Sequence, residues 1–153
     1  CSEVFERADE RVRYSVFDGL FGVTDNYLSN ETLFQIQSDV IRKLANEGSC
    51  VFVGRCADYV LKDHPRAINL FITANLEERV KRVMIQQHLS LAEARSHIEK
   101  TDKRRATYYN FYSNKVWGVA DSYDLCVNTS VLGIDETVKF LKIFIEKKFF
   151  PDR

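Results

Sequence analysis

The stretch INLFITANLEERVKRVMIQQ, residues 68–87, decides the fold class. Its first half, extended back to Ala67 as AINLFITA, is the short apolar run that a strand buried on both faces requires. Asn75 then stands three residues before Glu78, the spacing of a reciprocal capping box, and predicts a helix over LEERVKRVMIQQ. A buried strand feeding directly into a helix is the start of a strand–helix–strand crossover.

The flanking segments extend the same alternation. Upstream, Asn30 caps a helix whose apolar face is Leu33, Ile36, Val40, Ile41 and Leu44, and Gly48 stops it. SCVFVGR then reads as another buried strand, ending at Gly54-Arg55, and ADYVLKDHP as a short helical or turn connection stopped by Pro65. Downstream, Ser90 and Glu93 form a second capping box and open a long helix near Leu91. Arg95, Ile98, Asp102 and Arg105 share one face of it, and Tyr108, Tyr109, Phe111, Tyr112 and Trp117 follow. DLCVN, residues 124–128, is a third strand, and residues 134–149 form an amphipathic helix with Val138, Leu141 and Ile145 inward. Strands alternating with helices predict an α/β fold, a parallel sheet with helices on both faces.

A chain of 153 residues is expected to form one domain. Its 22 basic and 22 acidic residues cancel, so no overall field draws it to nucleic acid or a membrane, and any anion site is local. The apolar runs are too short to span a bilayer and no signal-peptide pattern opens the chain, which together predict a cytoplasmic protein. The four cysteines show no metal-type spacing with the three histidines; Cys50 and Cys126 read as buried thiols. His64, His88 and His97 read as surface residues, His97 beside the charged face. Residues 1–30 mix charge, aromatics and glycine. The excursion from Val16 to Leu28, with Phe17, Leu20 and Phe21 needing burial, is either a flap or partner surface or simple loop packing.

Chemistry gathers where ligands of open α/β sheets bind, beyond the carboxyl ends of the strands. Arg55 follows one strand, Arg79 and Arg82 lie on the helix after the next, and Asp102 and Arg105 on the long helix. Each taken singly is an ordinary surface charge. Together, several planar guanidinium forks suit a polyanion whose charge must be neutralised, the demand of phosphoryl transfer.

The ordered segments CVFVGRCADYVL, INLFITANLEERVKRV, IEKTDKRRATYYNFYSNKVWG and YDLCVNTSVLGIDETV resemble the cytidylate kinase-like family of nucleotide kinases over residues 31–148. The matching motifs are Gly54-Arg55, Glu77 through Arg82, Asp102 with Arg105, and Val127 through Ser130. The resemblance implies a three-layer P-loop kinase-like fold, with residues 1–30 as an acceptor flap, 31–89 as core, 90–118 as a lid-like helical segment and 119–153 as the closing core strand and helix. It also implies ATP and Mg²⁺ as cofactors and a CMP- or dCMP-like acceptor. By position, Arg55, Asp102 and Arg105 bind the acceptor, Arg79 and Arg82 serve the ATP side, and Arg105, Arg79 and Arg82 take part in the transfer.

Cys56 stands where the family has an acid after Gly-Arg, and Ile98 where it has an acceptor-binding arginine. These departures leave open a kinase for another small metabolite, or a non-catalytic nucleotide-binding module. None of the six glycines belongs to a G-x-x-x-x-G-K-[ST] loop. In the family a strand, glycine-rich loop and helix precede a segment like FERADE, here Phe5 to Glu10, so such a unit is expected upstream of Cys1. The oligomeric state is left open.

Overall fold

The computed structural model describes residues 30–150. The chain divides into two compact units, Cys1–Asp63 and His64–Arg153, each described by itself. The Val16–Leu28 excursion and the Phe5–Glu10 segment lie outside the described residues.

In the first unit, α1 runs over Asn30–Glu47. Ile41 is buried on its inner face, with Leu33, Ile36 and Leu44 partly covered and Val40 outward at the edge of the expected face. Ser38 is also buried, because its hydroxyl donates to the Phe34 carbonyl 2.8 Å away and needs no other partner. The expected strand over SCVFVGR is corrected. Among the described residues it joins no ladder, and Val51 and Val53 are 78% and 61% exposed. A continuous apolar run states that burial is favourable, but a strand exists only where a neighbour takes its backbone hydrogen bonds. The short helix α2, Ala57–Val60, follows as anticipated.

The second unit is built on two parallel strands, β1 (Leu70–Thr73) and β2 (Leu125–Asn128), in register from Leu70 opposite Leu125 to Thr73 opposite Asn128. Parallel neighbours need a crossover, and two helices supply it: α3, Leu76–Gln87, and α4, Leu91–Ser113. Val80 on α3 and Ala94 and Ile98 on α4 make the buried cluster between them, flanked by Val83, Met84 and Leu89. Thus Ile98 belongs to the core, and its neighbours Asp102 and Arg105 lie at the border of the charged face. The Ser90 capping box forms as expected: Glu93 N–H donates to Ser90 Oγ at 3.4 Å and Ser90 N–H donates to Glu93 Oε2 at 2.9 Å. The one expected at Asn75 does not. The Asn75 side chain accepts instead from Asn128 Nδ2 at 2.8 Å, and Glu78 accepts from Lys81 at 3.2 Å.

Beyond α4, Trp117 and Tyr123 pack on Phe71 of β1, with ring centroids 5.4 and 5.0 Å away. Gly118 makes room for that packing, since a Cβ there would lie 3.2 Å from the Phe71 ring. Asp124 ties the strand starts to the last helix, accepting from the Asn69 backbone N–H at 2.7 Å and from Lys148 Nζ at 2.6 Å. That helix, α5 (Thr129–Phe149), is interrupted at Gly133, whose φ of 77° and ψ of 170° are not helical. Its inward residue is Thr137, 2% exposed with its hydroxyl on the Gly133 carbonyl, whereas Val138 and Ile145 are exposed and Leu141 half-buried. The expected helix lies wholly beyond this break, and its turned-in stripe is Thr137, Leu141 and Phe144 at i, i+4 and i+7, one residue off the face that hydropathy alone picked through Val138 and Ile145. The expectation of buried Cys50 and Cys126 is likewise corrected: both are exposed, and among the described residues Cys56 is the buried thiol.

Candidate functional site

In the first unit the Gly54-Arg55 turn is sharp, as the sequence requires. Gly54, Arg55 and Cys56 have φ of 71°, 55° and 54°, three successive left-handed residues closed by a hydrogen bond from Ala57 N–H to the Gly54 carbonyl. Left-handed geometry at a residue with a Cβ costs roughly 1–2 kcal/mol. Two such residues together mark a position that the surrounding structure holds against local preference, the pattern found at ligand clamps. Arg55 is exposed. Cys56 is 3% exposed, and burial, reinforced by the Asp58 charge and opposed by Arg55, pushes its thiol up to about 12. At neutral pH it is an uncharged thiol and does not replace the negative charge of an acid at that place.

In the second unit the carboxyl ends of β1 and β2 open into a cleft of about 200 Å³ lined by Glu78, Arg82, Thr129, Ser130, Gly133 and Ile134. Hydrogen bonds at the strand ends hold two of its lining residues, Thr129 and Ser130. Ser130 Oγ accepts from the Asn75 N–H at 2.9 Å, Thr129 Oγ1 donates to the Thr73 carbonyl at 3.1 Å, and Asn128 Oδ1 accepts from the Ser130 N–H at 2.9 Å. An arginine beside hydroxyl groups at strand ends suits a phosphate or a sugar.

One turn before Arg82 on α3, Arg79 Nη2 donates to both carboxylate oxygens of Asp102 on α4, at 2.7 and 2.6 Å. Both side chains are partly buried, 29% and 26% exposed. Arg105 follows Asp102 by one helical residue triplet and is exposed. The fold therefore brings Arg79 and Asp102 into contact and sets Arg82 in the strand-end cleft. Arg55 belongs to the first unit. Glu78, Thr129 and Ser130 fall within the motifs Glu77 through Arg82 and Val127 through Ser130 without having been given roles, and Gly133 and Ile134 lie outside them. The rule that ligands gather at the carboxyl ends of parallel strands, applied to Asn128-Thr129-Ser130, was the signal available.

Among the described residues no group of three or more His, Cys, Asp or Glu could hold a metal ion. Mg²⁺ in phosphoryl-transfer sites keeps several waters and is held through one or two carboxylates plus the phosphates of the substrate, so it needs no such cage. Nor is any helix among the described residues long and apolar enough to cross a membrane.

The sequence model of the cytidylate kinase-like family matches residues 1–131. A cytidylate kinase of Methanopyrus kandleri is 30% identical over 117 residues, which are 69% of this chain and 58% of that protein, so the chain spans little more than half the length of the curated relative. Among solved structures, the crystal structure of an uncharacterized protein from Eubacterium ventriosum superposes with a TM-score of 0.73 at 31% identity, covering 82% of this chain and 80% of the other. With the family matched over most of its length, this chain belongs to the cytidylate kinase-like family.

Proposed function

We propose that the protein transfers the γ-phosphoryl group of ATP to a nucleoside monophosphate of the CMP or dCMP kind, in a cytoplasmic setting and on a three-layer P-loop kinase-like fold. The observation that carries this reading is the strand-end cleft, which Arg82, Thr129 and Ser130 line together in a chain of this family. Arg82 lies on the donor side, with Arg79 on the same helix. Arg55, Asp102 and Arg105 hold the acceptor.

Phosphoryl transfer asks the protein for position and charge rather than for a covalent intermediate. Guanidinium groups fixed around the phosphates offset charge as it spreads over the transferring oxygens, and they do so best when water is excluded. Mg²⁺ bound to the phosphates supplies further charge neutralisation when present. The α4 segment, carrying Asp102 and Arg105, acts as the lid that brings acceptor and donor together.

A second reading, a non-catalytic nucleotide-binding module, draws on two observations: Cys56 is a neutral buried thiol, and Ile98 is buried in the α3–α4 core. A panel of nucleoside monophosphates and small metabolites assayed for ADP release, with thermal-shift measurements alongside, separates the readings. Turnover with CMP and dCMP supports the kinase. Stabilisation by nucleotides without turnover supports the module, and turnover only with another metabolite moves the acceptor class.

A further inference from the structure

Among the described ion pairs, Arg42 with Asp39, Lys43 with Glu47, Lys81 with Glu78 and Lys139 with Glu136 each join neighbours on one helix, with both partners more than half exposed. Such pairs contribute little. Lys148 with Asp124 and Arg79 with Asp102 instead join separate segments. The Arg79–Asp102 pair joins two helices across 23 residues of sequence, and each side chain is less than a third exposed. Arg79 adjoins Val80, and Asp102 lies one turn beyond Ile98, so the pair sits at the edge of the apolar cluster that packs α3 on α4.

Its geometry limits what each partner can do. A single nitrogen, Nη2, serves both Oδ1 and Oδ2. An ionised carboxylate has about four acceptor positions, two on each oxygen. Arg79 takes one on each oxygen and fixes the group, leaving the others available to hydrogen-bond donors. Arg105 stands three residues after Asp102 on the same helix face, and a carboxylate not held from α3 is drawn toward that cation of its own helix. A carboxylate also repels a phosphate, so its service to an acceptor is to receive hydroxyl or amino hydrogens.

We propose that Arg79 is a positioning residue that acts through Asp102: it holds the carboxylate where the hydroxyl or amino donors of the acceptor nucleotide meet it, and does not itself bind a donor phosphate. The inference rests on the kinase-family reading above and narrows the role of Arg79 within it. Because one nitrogen makes the contact, a lysine ammonium, with three donors on a flexible stem, reproduces it.

The test uses the protein encoded by the whole reading frame and four variants: R79A, R79K, D102N and the R79A/D102N double. For each, the acceptor Kd is measured by calorimetry with CMP, the KM for ATP by ADP release, and the melting temperature by thermal shift. Positioning through Asp102 predicts that R79A and D102N each weaken CMP binding about tenfold, and that the double variant is no worse than either single. It also predicts a KM for ATP that changes by less than about twofold and recovery of most CMP affinity in R79K. A raised KM for ATP in R79A, with effects that multiply in the double variant, overturns the inference in favour of direct donor binding. A lowered melting temperature with CMP affinity intact overturns it in favour of a purely structural pair. If R79A does not fold, R79K decides: CMP affinity falling to that of D102N overturns the proposal. Wild-type protein that neither binds nor phosphorylates any nucleoside monophosphate overturns the functional reading itself, and this inference with it.

Discussion

Arg79 Nη2 and the Asp102 carboxylate form the charged contact between α3 and α4, at 2.7 and 2.6 Å. A charge-assisted hydrogen bond of this length between partly buried groups contributes more than an exposed pair, and salt screens it less. Asp102→Asn is therefore expected to cost about 1 kcal/mol, discounted for partial exposure. Urea unfolding should show a lower midpoint at unchanged slope. Glu136→Gln, which removes the exposed Lys139–Glu136 pair, should change the midpoint little, and less still at high salt.

The thiols should react unequally. Cys50 and Cys126 are exposed, whereas Cys56 is buried, with burial pushing its thiol up to about 12. Since the thiolate is the nucleophile, a neutral-pH alkylating reagent should label Cys50 and Cys126 in the folded protein and reach Cys56 only after unfolding. Peptide mass spectrometry of partly labelled protein checks the order. Because the folded thiol ionises above its ordinary value of 9.0, its contribution to stability is full below that pH and is lost as pH rises toward about 12.

Acid should loosen the junction of the strand starts with α5. Partial burial alone raises the Asp124 carboxyl, but the Asn69 N–H and the Lys148 ammonium outweigh it and hold the group below the usual carboxylate range. A depressed folded value means stability that is present at neutral pH and lost as pH falls through about 4, the unfolded value, and then through the lower folded one. Lys148→Ala should lower stability at pH 7 by a few tenths to about 1 kcal/mol, and the gap from wild type should close as the pH is lowered. Glu93, held low by its hydrogen bonds to Ser90, adds a loss of the same sign at the start of α4.

Gly118→Ala should destabilise the second unit. The residue has φ of 80°, and its added Cβ would meet Phe71 Cζ at 3.2 Å, within the packing of Phe71 against Trp117 and Tyr123. Conformational strain and the contact together are expected to cost roughly 1–3 kcal/mol. Gly48→Ala, with nothing near its Cβ position, should be nearly neutral. Thermal melts of the two variants make the comparison.

Local signals were legible where a segment carries its own hydrogen-bond logic. The Ser90–Glu93 capping box started α4 at the expected residue, and the β1–α3 transition fell where the apolar run ends. Signals failed where a second element decides the outcome. SCVFVGR has the composition of a strand, yet strand formation depends on a neighbour that composition does not specify. Asn75 has the type and spacing of a capping residue, but Asn128, 53 residues away, engages its side chain. The candidate site shows the same division. Arg79, Arg82, Asp102 and Arg105 could be named from residue type and order, whereas the pairing of Arg79 with Asp102 depends on how two helices pack.

The most direct test of the central claim is ³¹P NMR of a mixture of ATP, CMP and Mg²⁺ with the protein encoded by the whole reading frame. Phosphoryl transfer predicts that the γ-phosphate signal of ATP falls while the two signals of CDP and those of ADP rise in equal amounts, and that Arg105→Ala slows this by orders of magnitude while the fold survives. Nucleotide binding without CDP, or ADP accompanied only by inorganic phosphate, would contradict it.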